Sequence, residues 1–138
     1  MYKNILFACD LSENHFDLCE KVVKLARSLD ANLQFLHVIE TPASLQWAQS
    51  LGFAELATPV KDGALTVMKT IGEAFHVPKK DLHVEIGSVY QVILEKAKAW
   101  ECDLLILGRH ISTGLPAFLG STAHAVAQHP PCDILTMK

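Results

Sequence analysis

Two short stretches set the terms for this chain: Ile5-Leu6-Phe7-Ala8-Cys9 near the start and Leu104-Leu105-Ile106-Leu107 far downstream. Neither alternates polar with apolar residues. A strand with one wet face shows a period of two, so an unbroken apolar run is expected of a strand covered on both faces. Strands of that kind belong to parallel sheets held between helices. The first run is followed by such a helix: Phe16, Cys19, Val22, Val23, Ala26 and Leu29 recur at helical spacing after the Asp10-Leu11-Ser12 turn. Asp30-Ala31-Asn32 interrupts it, and residues 33–39 supply a second strand. Strand, helix and strand in that order favour parallel pairing through a right-handed crossover.

The alternation continues to the end of the chain. Thr58-Pro59 opens a second helix, with Thr58 as its cap and Pro59 in the first turn, and Val60, Ala64, Val67, Met68, Ile71 and Phe75 form its apolar stripe. Pro78 closes that region, and residues 81–86 read as a third strand. Gly87-Ser88 caps a third helix carrying Val89, Val92, Ile93, Ala97 and Trp100. Residues 103–107 form the fourth strand. Gly120-Ser121 starts a short helix that His129-Pro130-Pro131 stops, and residues 132–137 form the fifth strand. With 138 residues there is room for one well-buried core, so residues 1–138 are expected to form one α/β domain. Its expected architecture is a five-stranded, doubly wound parallel sheet with helices on both faces. Residues 40–57, punctuated by Pro42 and Gly52, break the pattern. They read either as a lid or partner surface, or as a short packed helix and loop.

Composition removes several function classes. A net charge of -3, with Lys79-Lys80 as the only basic doublet, leaves no footprint for nucleic acid or an anionic membrane. No apolar run approaches the ~20 residues of a membrane span, and the start is too short for a signal-peptide core, so a cytoplasmic protein is expected. Cys9, Cys19, Cys102 and Cys132 are widely spaced and contain no C-x-x-C pair. Reduced, metal-free thiols fit that spacing. His110, His124 and His129 match no metal-ligand spacing. Ser12, Ser88 and Ser121 stand at helix starts, where capping explains them, and no nucleophile–base pair is legible. An enzyme is not expected.

Open parallel sheets bind ligands beyond the carboxyl ends of their strands. Asp10, Ile39-Glu40, Gly87-Ser88 and Gly108-Arg109-His110 occupy those ends, and Gly120-Ser121-Thr122 lies across the following loop at a helix start. Free backbone N–H groups there favour an anion, glycine lets a phosphate approach, and two hydroxyls add donors. Each residue also has a plainer reading. Asp10 caps the first turn, Gly120-Ser121 is a helix cap, and Arg109 is a solvated charge.

The order of these pieces resembles the universal stress protein family over essentially the whole chain. It is carried by the first strand ending in Asp10, the His37-Val38-Ile39 strand end, and Asp103-Leu104-Leu105-Ile106-Leu107-Gly108. Gly120-Ser121-Thr122-Ala123 and His129-Pro130-Pro131-Cys132-Asp133-Ile134-Leu135 complete it. The resemblance implies an adenine nucleotide alpha-hydrolase-like fold, a stress-response regulatory role and a homodimer paired through the last strand, from Ile134 to Met137. Further protein partners are unspecified. It also implies ATP or another adenine nucleotide as ligand, with Mg only where ATP is bound. By similarity, Asp10 meets the ribose, the backbone at Ile39 meets the adenine, and Gly108, Gly120, Ser121 and Thr122 hold phosphates, with Arg109 supplying charge. The family's pattern, G-x2-G-x9-G-[S/T], is matched at Gly108 and at Gly120-Ser121. Its second glycine is Ile111 here, and the loop is one residue shorter. Two alternatives therefore stand beside nucleotide binding: a nucleotide-free dimeric interaction module, and an adenine-nucleotide enzyme of the same superfamily.

Overall fold

The computed structural model describes residues 2–11, 15–40, 58–108, 125, 126 and 128–137. Within them the chain alternates β1 (Asn4–Ala8), α1 (His15–Ser28), β2 (Asn32–Glu40), α2 (Thr58–Phe75), a 3-10 turn (Lys79–Asp81), β3 (Leu82–Gly87), α3 (Val89–Ala99), β4 (Leu104–Gly108) and β5 (Asp133–Met137). All pairings are parallel and the strand order is β3-β2-β1-β4-β5. The two unbroken apolar runs are neighbours near the centre, with Ile5 opposite Leu104 and Ala8 opposite Leu107. Their burial follows from that place: Ile5, Leu6, Phe7, Leu105 and Ile106 are fully buried.

Each sheet face carries its own core. Ile5, Phe7, Phe35, Leu104 and Ile106 face α1 and α2, where they meet Cys19, Val22, Val23, Met68 and Ile71. Leu6, Leu36, Leu105 and Leu107 face the other way, against Ile93 and Ala97 of α3 and Val126. Phe7 and Phe35 are opposed in register, with ring centroids 5.3 Å apart, edge to face. Such a pair contributes about 0.5–1.5 kcal/mol beyond its buried area.

Helices α1, α2 and α3 end in the same way, with a non-glycine residue in left-handed backbone: Asp30 (φ 51°), His76 (φ 58°) and Glu101 (φ 49°). The amides of Ala31, Val77 and Cys102 then reach back to the carbonyls of Ala26, Gly72 and Ala97, at 2.8–2.9 Å. This closes the last turn and satisfies carbonyls that a helix end otherwise leaves open. Arg27 adds to it from α1, its guanidinium donating to the Phe75 carbonyl at the end of α2 (2.6 Å).

Some sequence expectations shift. Phe16 and Val67, placed on apolar stripes, are 47% and 42% exposed, because each lies at the margin of the contact between its helix and the sheet. Phe16 instead rests against Phe75 of α2 (5.5 Å between rings). Asp81 belongs to the 3-10 turn rather than to β3. Ser88 is the cap residue of α3 but makes no side-chain capping bond. Gly87 ends β3 at φ 155°, a backbone region open to glycine, so its role is the turn itself. Beyond Glu40, the irregular stretch of residues 41–57 lies outside the described residues, as does Ser12. No helix among the described residues is long and apolar enough to cross a membrane.

Candidate functional site at the carboxyl ends of the strands

From β1 the chain steps outward to β2 and β3, then returns to the opposite side of β1 to lay down β4 and β5. The order therefore reverses between β1 and β4, and sheets of this kind form their ligand crevice beyond the carboxyl ends at such a point. Ala8 pairs with Leu107, which puts Cys9 beside Gly108 and leaves Asp10 just past the rim. Asp10 is exposed and Gly108 half-buried.

Three features shape this end of the sheet. Cys9 continues the β1 ladder, its amide donating to the Leu36 carbonyl (2.9 Å), while His37 Nδ1 donates to the Cys9 carbonyl (2.8 Å). Because a carbonyl only accepts, the bond requires the proton on Nδ1. Leu11 then turns the chain at φ 57°, a left-handed conformation that leucine rarely adopts, while its side chain packs on the α1/α2 core. Strain of this kind costs of order 1–3 kcal/mol and persists where the surroundings over-determine it. Gly108 sits close under α1, where a Cβ at its position would stand 2.7 Å from Leu18 Cδ2. The glycine thus has a packing reason as well as any ligand reason.

The thiols nearby are inert. Cys9 is buried, contacts Met68 Sδ at 3.8 Å, and is pushed far up by burial and by the charges of Cys19 and Asp10. Cys19 is pushed up to about 12 by burial and then by Asp10. A thiol held neutral is neither a nucleophile nor a metal ligand at neutral pH. All four cysteines are free thiols. No cluster of three metal-ligating side chains occurs among the described residues, where His129 is exposed.

Of the residues singled out from sequence, Asp10 and Gly108 stand at the neighbouring carboxyl ends of β1 and β4. Ile39 lies farther along, near the end of β2 opposite Ile86, with its side chain packed on the α1/α2 core. Its backbone is what the strand end offers. Arg109, Ile111, Gly120, Ser121 and Thr122 lie outside the described residues. Sequence reading missed the His37 bond and the turn at Leu11. A polar residue within the apolar stretch from Phe35 to Ile39 was the one signal for His37. Leu11 gave none, since leucine disfavours the conformation it holds.

Comparison with known proteins agrees with this architecture. A family model described as the universal stress protein family matches residues 1–138. Universal stress protein A homolog 2 of Coxiella burnetii is 32% identical, over 99% of this chain and 95% of that protein. The solved universal stress protein UspA of Lactobacillus plantarum superposes with a TM-score of 0.68 at 24% identity, covering 99% of this chain and 98% of that one. A universal stress protein solved in complex with cAMP gives a TM-score of 0.68 at 17% identity, covering 99% and 96%. The chain belongs to the universal stress protein family.

Proposed function

We propose that this chain is a non-enzymatic stress-response regulator that binds an adenine nucleotide in the crevice between β1 and β4. The observation that carries the reading is the placement of Asp10 and Gly108 at the neighbouring carboxyl ends of β1 and β4, where the strand order reverses. In this reading Asp10 takes the ribose hydroxyls and the backbone at Ile39 takes the adenine. Gly108, Gly120, Ser121 and Thr122 take the phosphates, with Arg109 adding charge and Mg accompanying ATP. The relative bound to cAMP supports the ligand class. The protein works in the cytoplasm as a homodimer joined along β5, an edge strand whose Leu135 is 37% exposed. Edge strands need a partner or a cover, and a second β5 supplies one.

A second reading is a nucleotide-free dimeric module. Leu18 standing over Gly108 favours it, because that glycine is then explained without a phosphate. The two readings separate in one experiment, in which the purified protein is denatured, released nucleotide is sought by mass spectrometry, and thermal stability is followed with Mg-ATP. A ligand at 100 times its Kd adds about 2.7 kcal/mol of stability, and Gly120→Val should remove that gain without unfolding the domain. No released nucleotide and no shift at millimolar ATP rejects the first reading. Sedimentation tests the dimer separately, with Leu135→Lys expected to shift it toward monomer.

A further inference from the structure

A hollow of about 500 Å³ opens at the amino ends of the strands, the end of the sheet away from the β1–β4 crevice. Such a sheet should be apolar on a covered face, yet here the α3 side carries a polar row. Asn4 stands opposite Asn32 in register, Gln34 follows two residues on, and His83 lies opposite Leu36. The reason is that α3 ends at Ala99, so that Trp100 is the last side chain to lean over this corner.

The row is wired together. Gln34 donates from Nε2 to Asp81 (2.9 Å), so its Oε1 is free to accept from His83 Nε2 (2.7 Å). Burial and then Lys96 lower the His83 pKa, which favours the neutral imidazole. Its ring lies 4.5 Å from Trp100, inclined by 38°, giving an aromatic wall. Asn32 donates to Asn4 Oδ1 (3.1 Å), and Asn4 donates to the Glu101 carbonyl (3.3 Å). Asn32 Oδ1 and the Lys80 ammonium are left without a protein partner among the described residues, and both side chains line the hollow.

An aromatic wall, an acceptor and a cation on a frame fixed by its own hydrogen bonds amount to a pre-organised polar site, within the usual size of small-molecule sites. We infer that the hollow binds a small aromatic carboxylate carrying a hydroxyl or ring N–H. The ring lies against Trp100 and His83, the carboxylate meets Lys80, and the donor reaches Asn32 Oδ1. This inference stands independently of nucleotide binding at the other end.

The test is a titration of the full-length Trp47→Phe protein with 4-hydroxybenzoate, read by nitrogen-resolved NMR. Trp100 then gives the only indole N–H signal, since the chain has two tryptophans. Saturable shifts of that signal and of the Gln34 and His83 signals are expected, and Mg-ATP should leave them in place. Lys80→Met, a change on an exposed side chain, should weaken binding about ten-fold, as loss of a charge-assisted bond does. No saturable shift up to about 10 mM, which corresponds to a binding energy under about 3 kcal/mol, overturns the proposal. So does an affinity unchanged by Lys80→Met.

Discussion

The two ends of the sheet are built differently. At the amino end, side chains tie strand to strand. Asp103 accepts from the backbone amides of Lys3 (2.8 Å) and Asn4 (3.0 Å), Tyr2 donates to Asp133 (2.8 Å), and Gln34 bridges Asp81 and His83. The carboxyl end shows a histidine bond to backbone, a strained leucine turn and a glycine under a helix. One end spends its polar groups on holding the strands in register. The other presents backbone ends and Asp10 at the strand termini, where a sheet of this kind takes its ligand.

The sharpest way to break this comparison is at Gly72, where α2 comes down on the amino end of β3. A Cβ there would meet Leu82 Cδ1 at 2.6 Å and the Val77 carbonyl at 2.9 Å. Gly72→Val should therefore cost about 3 kcal/mol, read as a lower urea midpoint at constant m. Gly63 has nothing within 4 Å. Gly63→Ala in the same helix should instead gain about 0.5–1 kcal/mol. Equal effects at the two glycines would show that helix propensity, not the close approach, governs both.

Next comes Asp103→Ala, expected to cost about 1–2 kcal/mol, reduced from the full value of two charge-assisted bonds by partial exposure. Burial raises the Asp103 carboxyl, but the amides of Lys3 and Asn4 outweigh it and hold the group below the usual aspartate range. The folded protein thus binds this proton less tightly than the unfolded chain. Its contribution is complete above the unfolded pKa and is lost as pH falls through the lower folded one. Wild type and Asp103→Asn should converge in strong acid, and a gap that stays constant from pH 7 to pH 2 would remove the clamp from the account.

At the carboxyl end, Gly108→Ala should cost only about 1 kcal/mol, since the tip of a flexible Leu18 gives way. Its effect on the Mg-ATP thermal shift should be larger than its effect on stability. A loss confined to stability would make Gly108 a packing residue and bring the two ends closer in character. The smallest effect is expected at the amino end again, where Glu101→Gly should gain about 0.5–1 kcal/mol by relieving the left-handed turn. Thermal unfolding checks the sign.

Much of the fold was legible because local pattern and burial coincide. The β1 and β4 runs are apolar on both faces since both faces are covered, and Asp30 marks the end of α1 where the helix in fact closes. The site was legible only in outline. Asp10 and Gly108 could be named as strand ends, but the Leu18 contact that gives Gly108 a second reason comes from a helix ninety residues earlier. Val67 was misread because a helical stripe says which side faces the sheet, not how far the sheet extends beneath it.

The sequence by itself determined that five strands alternate with helices, that two of them are buried on both faces, and that Asp10 and Gly108 fall at strand ends. These follow from unbroken apolar runs and helical spacing, which the chain displays locally. Only the tertiary structure decided that β1 lies against β4, that Asp103 grips the start of β1, and that Leu11 is held in a conformation it disfavours. Those outcomes rest on contacts between residues far apart in sequence, where packing overrides what any single residue prefers.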